Sequence, residues 1–164
     1  ERQEHLLLLE LSMKEFENIC SPESIKVSKY FEVEGYSNVM HLVSQVEGRL
    51  MPNVTATQAL KASFPAGTVT GTPKDAAMKI IDEMEFIPRG PYGGAIGYIG
   101  FNGNLEMSIL IRTFMQNDEG LTIQAGAGIV AGSNPEREFM ETQNKARALI
   151  QALKVAKNRR DNND

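Results

Sequence analysis

The stretch from Tyr92 to Met115, which reads YGGAIGYIGFNGNLEMSILIRTFM, decides the fold class. Its two apolar runs are separated by Asn-Gly-Asn, a strong β-hairpin signal. A third apolar run, LTIQAGAGIV at 121–130, follows a second turn signal, NDEG at 117–120. The sequence therefore predicts three successive antiparallel strands in this part of the chain.

The flanking segments add both strands and helices to these three strands. The run at 5–11 predicts a buried strand, and residues 12–20 predict a short capped helix. Alternating apolar and polar residues predict further strands at 25–36 and 38–50. Helices are predicted at 56–62, 74–85 and 135–157. Antiparallel strands with helices between and after them indicate an α+β fold.

Composition excludes several classes of protein. A chain of 164 residues with 41% apolar residues is long enough for one domain. The net charge of −4 disfavours a nucleic-acid partner, and no apolar run approaches a membrane span. The single cysteine, Cys20, cannot form an internal disulfide and is predicted to be a small buried apolar side chain. Because the chain opens with Glu1 inside a periodic run, we expect it to be cut from something longer, with a polar tail at 156–164.

Acidic pairs lie at both ends of the chain. In PEREFMETQNKAR, Glu138 and Glu141 are three residues apart and share one side of a predicted helix with Lys145. Glu1 and Glu4 repeat that spacing at the amino terminus. Such pairs are common on solvated helix faces. If the two pairs meet, however, their oxygens suit a hard cation such as Mg²⁺.

Glycines are concentrated in two of the predicted strands. Gly93, Gly94 and Gly97 fall in one, and Gly126 and Gly128 fall in another. Glycine weakens a strand unless another group needs close access to the backbone, so these positions predict a surface of reachable N–H groups that suits an anionic small molecule. Sharp strand curvature is the alternative explanation.

Seven phrases together resemble the chorismate-utilising enzyme family: EHLLLLEL, YSNVMHLVSQVEG, FPAGTVTGTPK, RGPYGGAIGY, IRT, QAGAGIV and PEREFMETQNKAR. The resemblance runs in order from Glu1 to about Leu153. It implies antiparallel sheets with helices packed outside, and it makes residues 1–155 the carboxy-terminal portion of a chorismate-binding catalytic domain. The amino-terminal half of such an enzyme would then be absent from this chain.

The resemblance also implies roles for individual residues. Mg²⁺ would be held by the carboxylates of Glu4 and Glu141. Glu1 and Glu138 are the second members of the two acidic pairs and would bind it through water. The enolpyruvyl carboxylate of chorismate would be received by Tyr92, Arg112, Gly126, Ala127 and Gly128. Catalytic roles fall to His41, as proton donor to the departing C4 hydroxyl, to Thr68 in the ring pocket, and to Lys145 as a charge-balancing group. Taken without the resemblance, His41 reads as an ordinary strand histidine satisfied by a hydrogen bond.

The implied reaction converts chorismate into anthranilate and pyruvate with ammonia, in tryptophan biosynthesis. A glutamine amidotransferase subunit would supply the ammonia to the full-length, cytoplasmic protein. Alternatives on the same scaffold are aminodeoxychorismate, isochorismate or salicylate, and aminodeoxyisochorismate synthesis, or a non-catalytic module that keeps the fold. Three sites depart from most relatives, and one of them, Gly132 in place of Asp, is closer to isochorismate-forming members.

Overall fold

The computed structural model describes residues 2–35 and 40–161, apart from the side chains at 3, 41, 160 and 161. Its helices are α1 Arg2–Glu17, α2 Ala56–Ser63, α3 Lys74–Met84 and α4 Pro135–Asp161, with a 3-10 turn at Pro22–Ser24. Its strands are β1 Lys26–Gly35, β2 Met40–Glu47, β3 Ala95–Ile99, β4 Leu105–Ile109, β5 Phe114–Asn117 and β6 Gly120–Ile123.

The strands form three two-stranded antiparallel sheets, β1–β2, β3–β4 and β5–β6. Helix α1 packs against β2 and α2. The predicted α+β class with antiparallel sheets and helices outside them is confirmed.

Both predicted hairpins of the deciding stretch are present. Ile99 pairs with Leu105 across the Asn-Gly-Asn turn, where Gly103 takes a φ of +85°. Asn117 pairs with Gly120 across the second turn, and the Asn117 side-chain oxygen accepts hydrogen bonds from the N–H groups of Glu119 and Gly120, both at 3.1 Å. The turn residues therefore fix the register of both hairpins.

The predicted strand at 5–11 is wrong, because these residues belong to the 16-residue helix α1. The run is built of leucines, which are strong helix formers, and it contains no β-branched residue. Only Leu9 is fully buried, whereas Leu6 and Leu7 are exposed, so one stripe of the helix faces the core. Ser12 does not cap a second helix, because its hydroxyl donates to the Leu8 carbonyl within α1 at 3.0 Å.

The strands predicted after the first hairpin are shorter than expected. The run LEMSILIRTFM is two strands, β4 and β5, separated by residues 110–113, where Arg112 has a φ of +52°. The third run is a strand only as far as Ile123. Residues 124–130 leave the sheet, and it is this irregular backbone that reaches the site described below.

Helices α2 and α4 begin at residues that cap them. A capping box joins Thr55 and Gln58 at the start of α2. The Asn134 side-chain oxygen accepts from the Arg137 N–H at 3.0 Å, and Pro135 occupies the first position of α4. Helix α4 continues to Asp161, so most of the predicted polar tail is helical. No helix in the described part of the chain has both the length and the apolar character needed to cross a bilayer.

The fully buried core of the described residues is small and consists of Leu9, Ile19 and Cys20. Cys20 is 1% exposed, as predicted, and burial raises the pKa of its thiol. A Cβ at Gly48 would lie 2.8 Å from the Cys20 sulfur, so glycine is needed there. This core joins the end of α1 to the residues after β2.

Large apolar side chains elsewhere are exposed. Ile96, Tyr98 and Ile99 on β3 are each more than half exposed, as are Ile80 and Met84 on α3. The chain exposes 12782 Å² in total, whereas a compact monomer of this mass is expected to expose about 8,100 Å². The chain therefore presents apolar surface of a kind that stable proteins cover.

Candidate active site

Five of the residues predicted from the sequence line one cavity of about 150 Å³: Thr68, Tyr92, Arg112, Gly126 and Lys145. They come from the loop before α3, the turn before β3, the break between β4 and β5, the segment after β6, and α4. Four irregular segments and one helix thus converge on a single concave surface. Clefts of this kind, lined by apolar and a few polar groups, are the usual form of small-molecule sites.

Arg112 lies where the chain breaks between β4 and β5. Its φ of +52° is unusual for a residue with a side chain and costs on the order of 1 kcal/mol or more. Within residues 2–35 and 40–161, no acidic side chain pairs with it. The guanidinium of Arg112 is thus unpaired among these residues, and its backbone is strained at a cavity wall. Such a group is suited to receive an anion, because its planar fork can bind both oxygens of a carboxylate.

Tyr92 approaches the backbone of the segment after β6. A Cβ placed on Gly126 would lie 3.2 Å from the Tyr92 hydroxyl oxygen, so glycine lets the phenol come close. Tyr92 is half-buried. Its hydroxyl group therefore lies near the backbone of Gly126, and Tyr92 and Arg112 line the same cavity.

The segment 126–128 offers free backbone donors. In the part of the chain that the structure describes, the N–H groups of Gly126, Ala127 and Gly128 donate to no protein acceptor. Ala127 is half-buried and its two glycine neighbours are exposed. Successive unpaired N–H groups favour negative charge.

The glycines of β3 have a different role. A Cβ on Gly97 would lie within contact of the Glu106 carbonyl oxygen and 2.8 Å from the Met107 Cα, both on the paired strand β4. Gly93, at a φ of +76°, packs against Val69. The prediction of a reachable backbone surface therefore fits residues 126–128, whereas close packing explains Gly93 and Gly97.

Lys145 connects α4 to the same segment. Its ammonium group donates to the Gly126 carbonyl at 3.1 Å and forms an ion pair with Glu141 at 2.6 Å, one helical turn away. The lysine thus places one positive charge between a carboxylate and the cavity wall. This arrangement fits the predicted charge-balancing role.

The predicted metal carboxylates approach from two helices. A Glu4 side-chain oxygen on α1 lies 3.2 Å from the Cβ position of Gly128, and Glu141 on α4 reaches Gly126 through Lys145. Glu138 is half-buried on α4, and Glu1 lies outside the described residues. Among the described residues no group of three or more metal-ligating side chains is gathered. Two carboxylates bordering one segment still fit Mg²⁺, which commonly takes one or two protein carboxylates and completes its shell with water and substrate oxygens.

His41 lies in β2, opposite Glu34 on β1. Its side chain is outside what the structure describes, so its predicted role as a proton donor stays a prediction.

The rest of the cavity lining, which is apolar apart from Gln124, was not predicted from the sequence. It consists of Val69, Ile111, Ile123, Gln124, Ala125 and Leu149. Four of these follow from predicted neighbours, since Val69 adjoins Thr68, Ile111 adjoins Arg112, Ala125 adjoins Gly126, and Leu149 lies one turn beyond Lys145 on α4. Ile123 and Gln124 had no such signal, because a continuous strand was expected there.

Comparison with known proteins agrees with this geometry. Residues 1–151 match the family described as chorismate binding enzyme. Anthranilate synthase component 1 of Aquifex aeolicus is 49% identical over 156 residues, which cover 95% of this chain and 32% of that protein. The chain belongs to the chorismate-binding enzyme family, and it spans about a third of the length of the curated relatives it matches.

Two solved structures share the fold. Anthranilate synthase component I from Streptococcus pneumoniae superposes with a TM-score of 0.86 at 46% identity, covering 89% of this chain and 34% of that one. A 2,3-dihydroxybenzoate-specific isochorismate synthase from Bacillus anthracis superposes with a TM-score of 0.82 at 30% identity, covering 92% and 40% of the two chains. Relatives that are named for two different reactions therefore have this fold.

Proposed function

We propose that this chain supplies one wall of the active site of an enzyme that converts chorismate into anthranilate and pyruvate with ammonia. The observation that carries the proposal is the convergence of Tyr92, Arg112, Gly126 and Lys145 on one cavity, where Gly126 begins a segment of backbone N–H groups that are unpaired among the described residues. Chorismate carries two carboxylates, so its site needs two separate places for negative charge. The similarity to anthranilate synthase component 1 supports this reaction.

In this proposal the enolpyruvyl carboxylate binds at the cavity wall. Arg112 pairs with its oxygens, the Tyr92 hydroxyl donates to one of them, and the N–H groups near Gly126 and Gly128 donate to the other. These donors are fixed before substrate arrives, which lowers the cost of ordering them during the reaction.

The ring carboxylate is assigned to a Mg²⁺ that Glu4 and Glu141 would hold beside the 126–128 segment, with Glu1 and Glu138 contributing through water. Bound Mg²⁺ would neutralise the ring carboxylate and orient it. Lys145 then offsets the remaining negative charge of Glu141 and fixes that carboxylate relative to Gly126.

The chemical steps are assigned to His41 and Thr68. His41 would give a proton to the departing C4 hydroxyl as ammonia adds to the ring. Thr68 would shape the ring pocket, and the apolar residues around it would exclude water. Elimination of pyruvate then leaves the aromatic amine.

An amino-terminal portion is proposed to complete the site and to cover the exposed apolar surface, because the described chain exposes roughly 4,700 Å² more than a compact monomer should. In the whole protein we propose a cytoplasmic enzyme that receives ammonia from a glutamine amidotransferase subunit. We expect the 164 residues alone to be inactive, since a site that lacks one wall loses most of its positioning.

Chorismate turnover tests the proposal. Purified chain, with and without an amino-terminal portion of the same family, is incubated with chorismate, Mg²⁺ and an ammonium salt, and anthranilate is measured by its fluorescence. Anthranilate should form only when both portions are present. Turnover by the 164 residues alone would overturn the division of the site. No product from the combined portions under any nucleophile would overturn the enzymatic proposal.

The metal assignment has its own test in the same assay. Glu4→Gln and Glu141→Gln should each raise the Mg²⁺ concentration needed for half-maximal activity at least about tenfold, because one ligand of a hard cation is lost. Glu10→Gln, a change on the same helix as Glu4, serves as the control. Equal Mg²⁺ dependence in all three variants would contradict the assignment.

Isochorismate formation is the second candidate. It is favoured by the superposition on the Bacillus anthracis protein and by Gly132, which follows the cavity segment. The two reactions differ in nucleophile, so the assay decides between them. Product that forms without ammonium, and is identified chromatographically as isochorismate, would replace anthranilate synthesis as the conclusion.

A further inference from the structure

We propose that Arg89 is a positioning residue that fixes two walls of the cavity, Tyr92 and the Thr68–Val69 segment. The inference rests on the proposed function, since it concerns how the same site is held in shape. Arg89 does not line the cavity, so it would act through the residues that do.

The Arg89 guanidinium has three kinds of contact. Its Nε and one terminal nitrogen donate to both carboxylate oxygens of Glu85, at 2.8 and 2.5 Å. Its other terminal nitrogen donates to the Val69 carbonyl at 2.5 Å. Its central carbon lies 5.8 Å from the centre of the Tyr92 ring, within range of a cation–π interaction. One planar group thus links the end of α3 to both cavity walls.

The backbone around Arg89 transmits this anchoring. The Tyr92 N–H donates to the Arg89 carbonyl at 3.1 Å, which closes a turn. Gly93 and Gly94 exchange backbone hydrogen bonds with Leu110, at 2.9 and 2.8 Å. Leu110 lies two residues before Arg112. The turn that Arg89 opens is therefore attached to the strand end that carries the anion-binding arginine.

Packing joins the same two walls. A Cβ on Gly93 would lie 3.2 Å from a methyl carbon of Val69, and Gly93 is buried. The loop before α3 and the turn before β3 therefore touch without a gap. The Arg89–Val69 hydrogen bond lies at this junction, so its loss should let the two walls separate.

A solvent-exposed ion pair between residues four apart contributes little, and the Glu85–Arg89 pair alone would be of that kind. Two features distinguish Arg89. Its side chain is only 23% exposed, and its contacts extend beyond Glu85 to a carbonyl and a ring of the cavity wall. Lysine cannot make these contacts together, because it presents one compact ammonium group.

Steady-state kinetics of the whole protein, in which this chain acts with its amino-terminal portion, test the inference. Arg89→Lys and Arg89→Met should each raise the KM for chorismate about tenfold and change kcat much less, because the walls that bind the carboxylate are displaced. Lys26→Met removes another ion pair, Lys26–Glu47, from the β1–β2 sheet and should leave both constants unchanged. An unchanged KM in both Arg89 variants would overturn the inference.

A second measurement does not depend on turnover. In protein labelled with ¹³C in the tyrosine rings, the Tyr92 resonance is assigned with Tyr92→Phe. It should shift or broaden in both Arg89 variants and stay in place in Lys26→Met, while Tyr30 and Tyr98 should not respond. An unchanged Tyr92 resonance would overturn the inference even if the enzyme converts chorismate. A changed resonance in a protein that does not convert chorismate would uphold the positioning and refute the proposed function.

Discussion

The cavity wall and the β3–β4 hairpin differ in how many contacts this chain provides to hold them. At the cavity, five segments meet, and contacts within this chain such as Arg89 to Val69 and Lys145 to Gly126 join several of them. In the hairpin, all five residues of β3 are exposed, and within the described residues β4 is the only strand that pairs with β3. The cavity segments are therefore joined by contacts that this chain itself supplies, whereas β3 presents apolar side chains that the described residues leave exposed.

The difference has a physical basis. Polar groups at the cavity gain from directional hydrogen bonds that short loops can provide, so they need little buried area around them. An apolar strand gains only from area removed from water, and an isolated two-stranded hairpin is marginal. Changes at the cavity should therefore alter binding with little effect on folding, and changes in the hairpin should do the reverse.

The largest effect is expected from Arg112→Gln. Loss of the charged fork should reduce kcat/KM for chorismate about 100-fold, or roughly 3 kcal/mol, because a charge-assisted pair is removed from a confined site. The free energy of unfolding should hardly change, since Arg112 pairs with no acidic side chain in the described residues. Exposed Arg49→Gln is the matched control, and equal losses in the two variants would remove Arg112 from the site.

Gly97→Ala should give the reverse result. The added Cβ would collide with the β4 backbone at Glu106 and Met107, which cannot move as a flexible side chain can. We expect a loss of about 2 kcal/mol in the free energy of unfolding, measured by denaturant titration of the whole protein. Gly35→Ala, also in a strand but with open space around its Cβ, should cost far less. A similar loss in both variants would show that flexibility, and not close packing, explains Gly97.

The same contrast explains which elements of the structure could be predicted from the sequence. The hairpins and the helix starts were predictable because Asn-Gly-Asn, Asn134 and the Thr55 capping box act over a few residues. The helix at 2–17 was missed, because a short leucine run fits a buried strand as well as a helix. The break at Arg112 was missed because it depends on contacts with the turn before β3, which no local pattern encodes.

The site shows a similar division. Tyr92, Arg112 and Lys145 were found through their resemblance to a family, and the structure brings them to one cavity. The contacts of Arg89 were not foreseen, since they join residues 20 positions apart. Pairing over that distance is a property of the folded chain.

Arg112→Gly separates strain from function at a single position. Glycine adopts a positive φ freely, so the variant should be more stable than Arg112→Gln by about 1 kcal/mol while losing as much chorismate binding. Denaturant titration and KM measured on the two variants side by side check both halves of this expectation. Equal stability of the two variants would mean that the backbone at Arg112 carries no strain.

The smallest effect is the pH dependence of the Glu85–Arg89 pair at the edge of the cavity. The guanidinium of Arg89 lowers the pKa of Glu85 below its ordinary value of 4.5. A carboxylate with a depressed folded pKa stabilises the protein fully above its unfolded pKa, and the contribution is lost as the pH falls through the lower folded value. Because Glu85 is 37% exposed, solvent screening keeps the contribution well below about 1 kcal/mol.

Unfolding free energies measured from neutral pH down through the carboxylate range should therefore fall more steeply in the wild type than in Glu85→Gln, by a small margin. In the Arg89→Met background the same substitution should have no effect, because the partner that lowers the pKa is absent. Together these variants form a double-mutant cycle, which separates an effect of Arg89 on the cavity from an effect on the stability of the fold. If the coupling is small in stability and the change in chorismate KM is large, Arg89 acts on the shape of the cavity and not on the fold. If the two effects are equally small, the guanidinium is an ordinary surface ion pair.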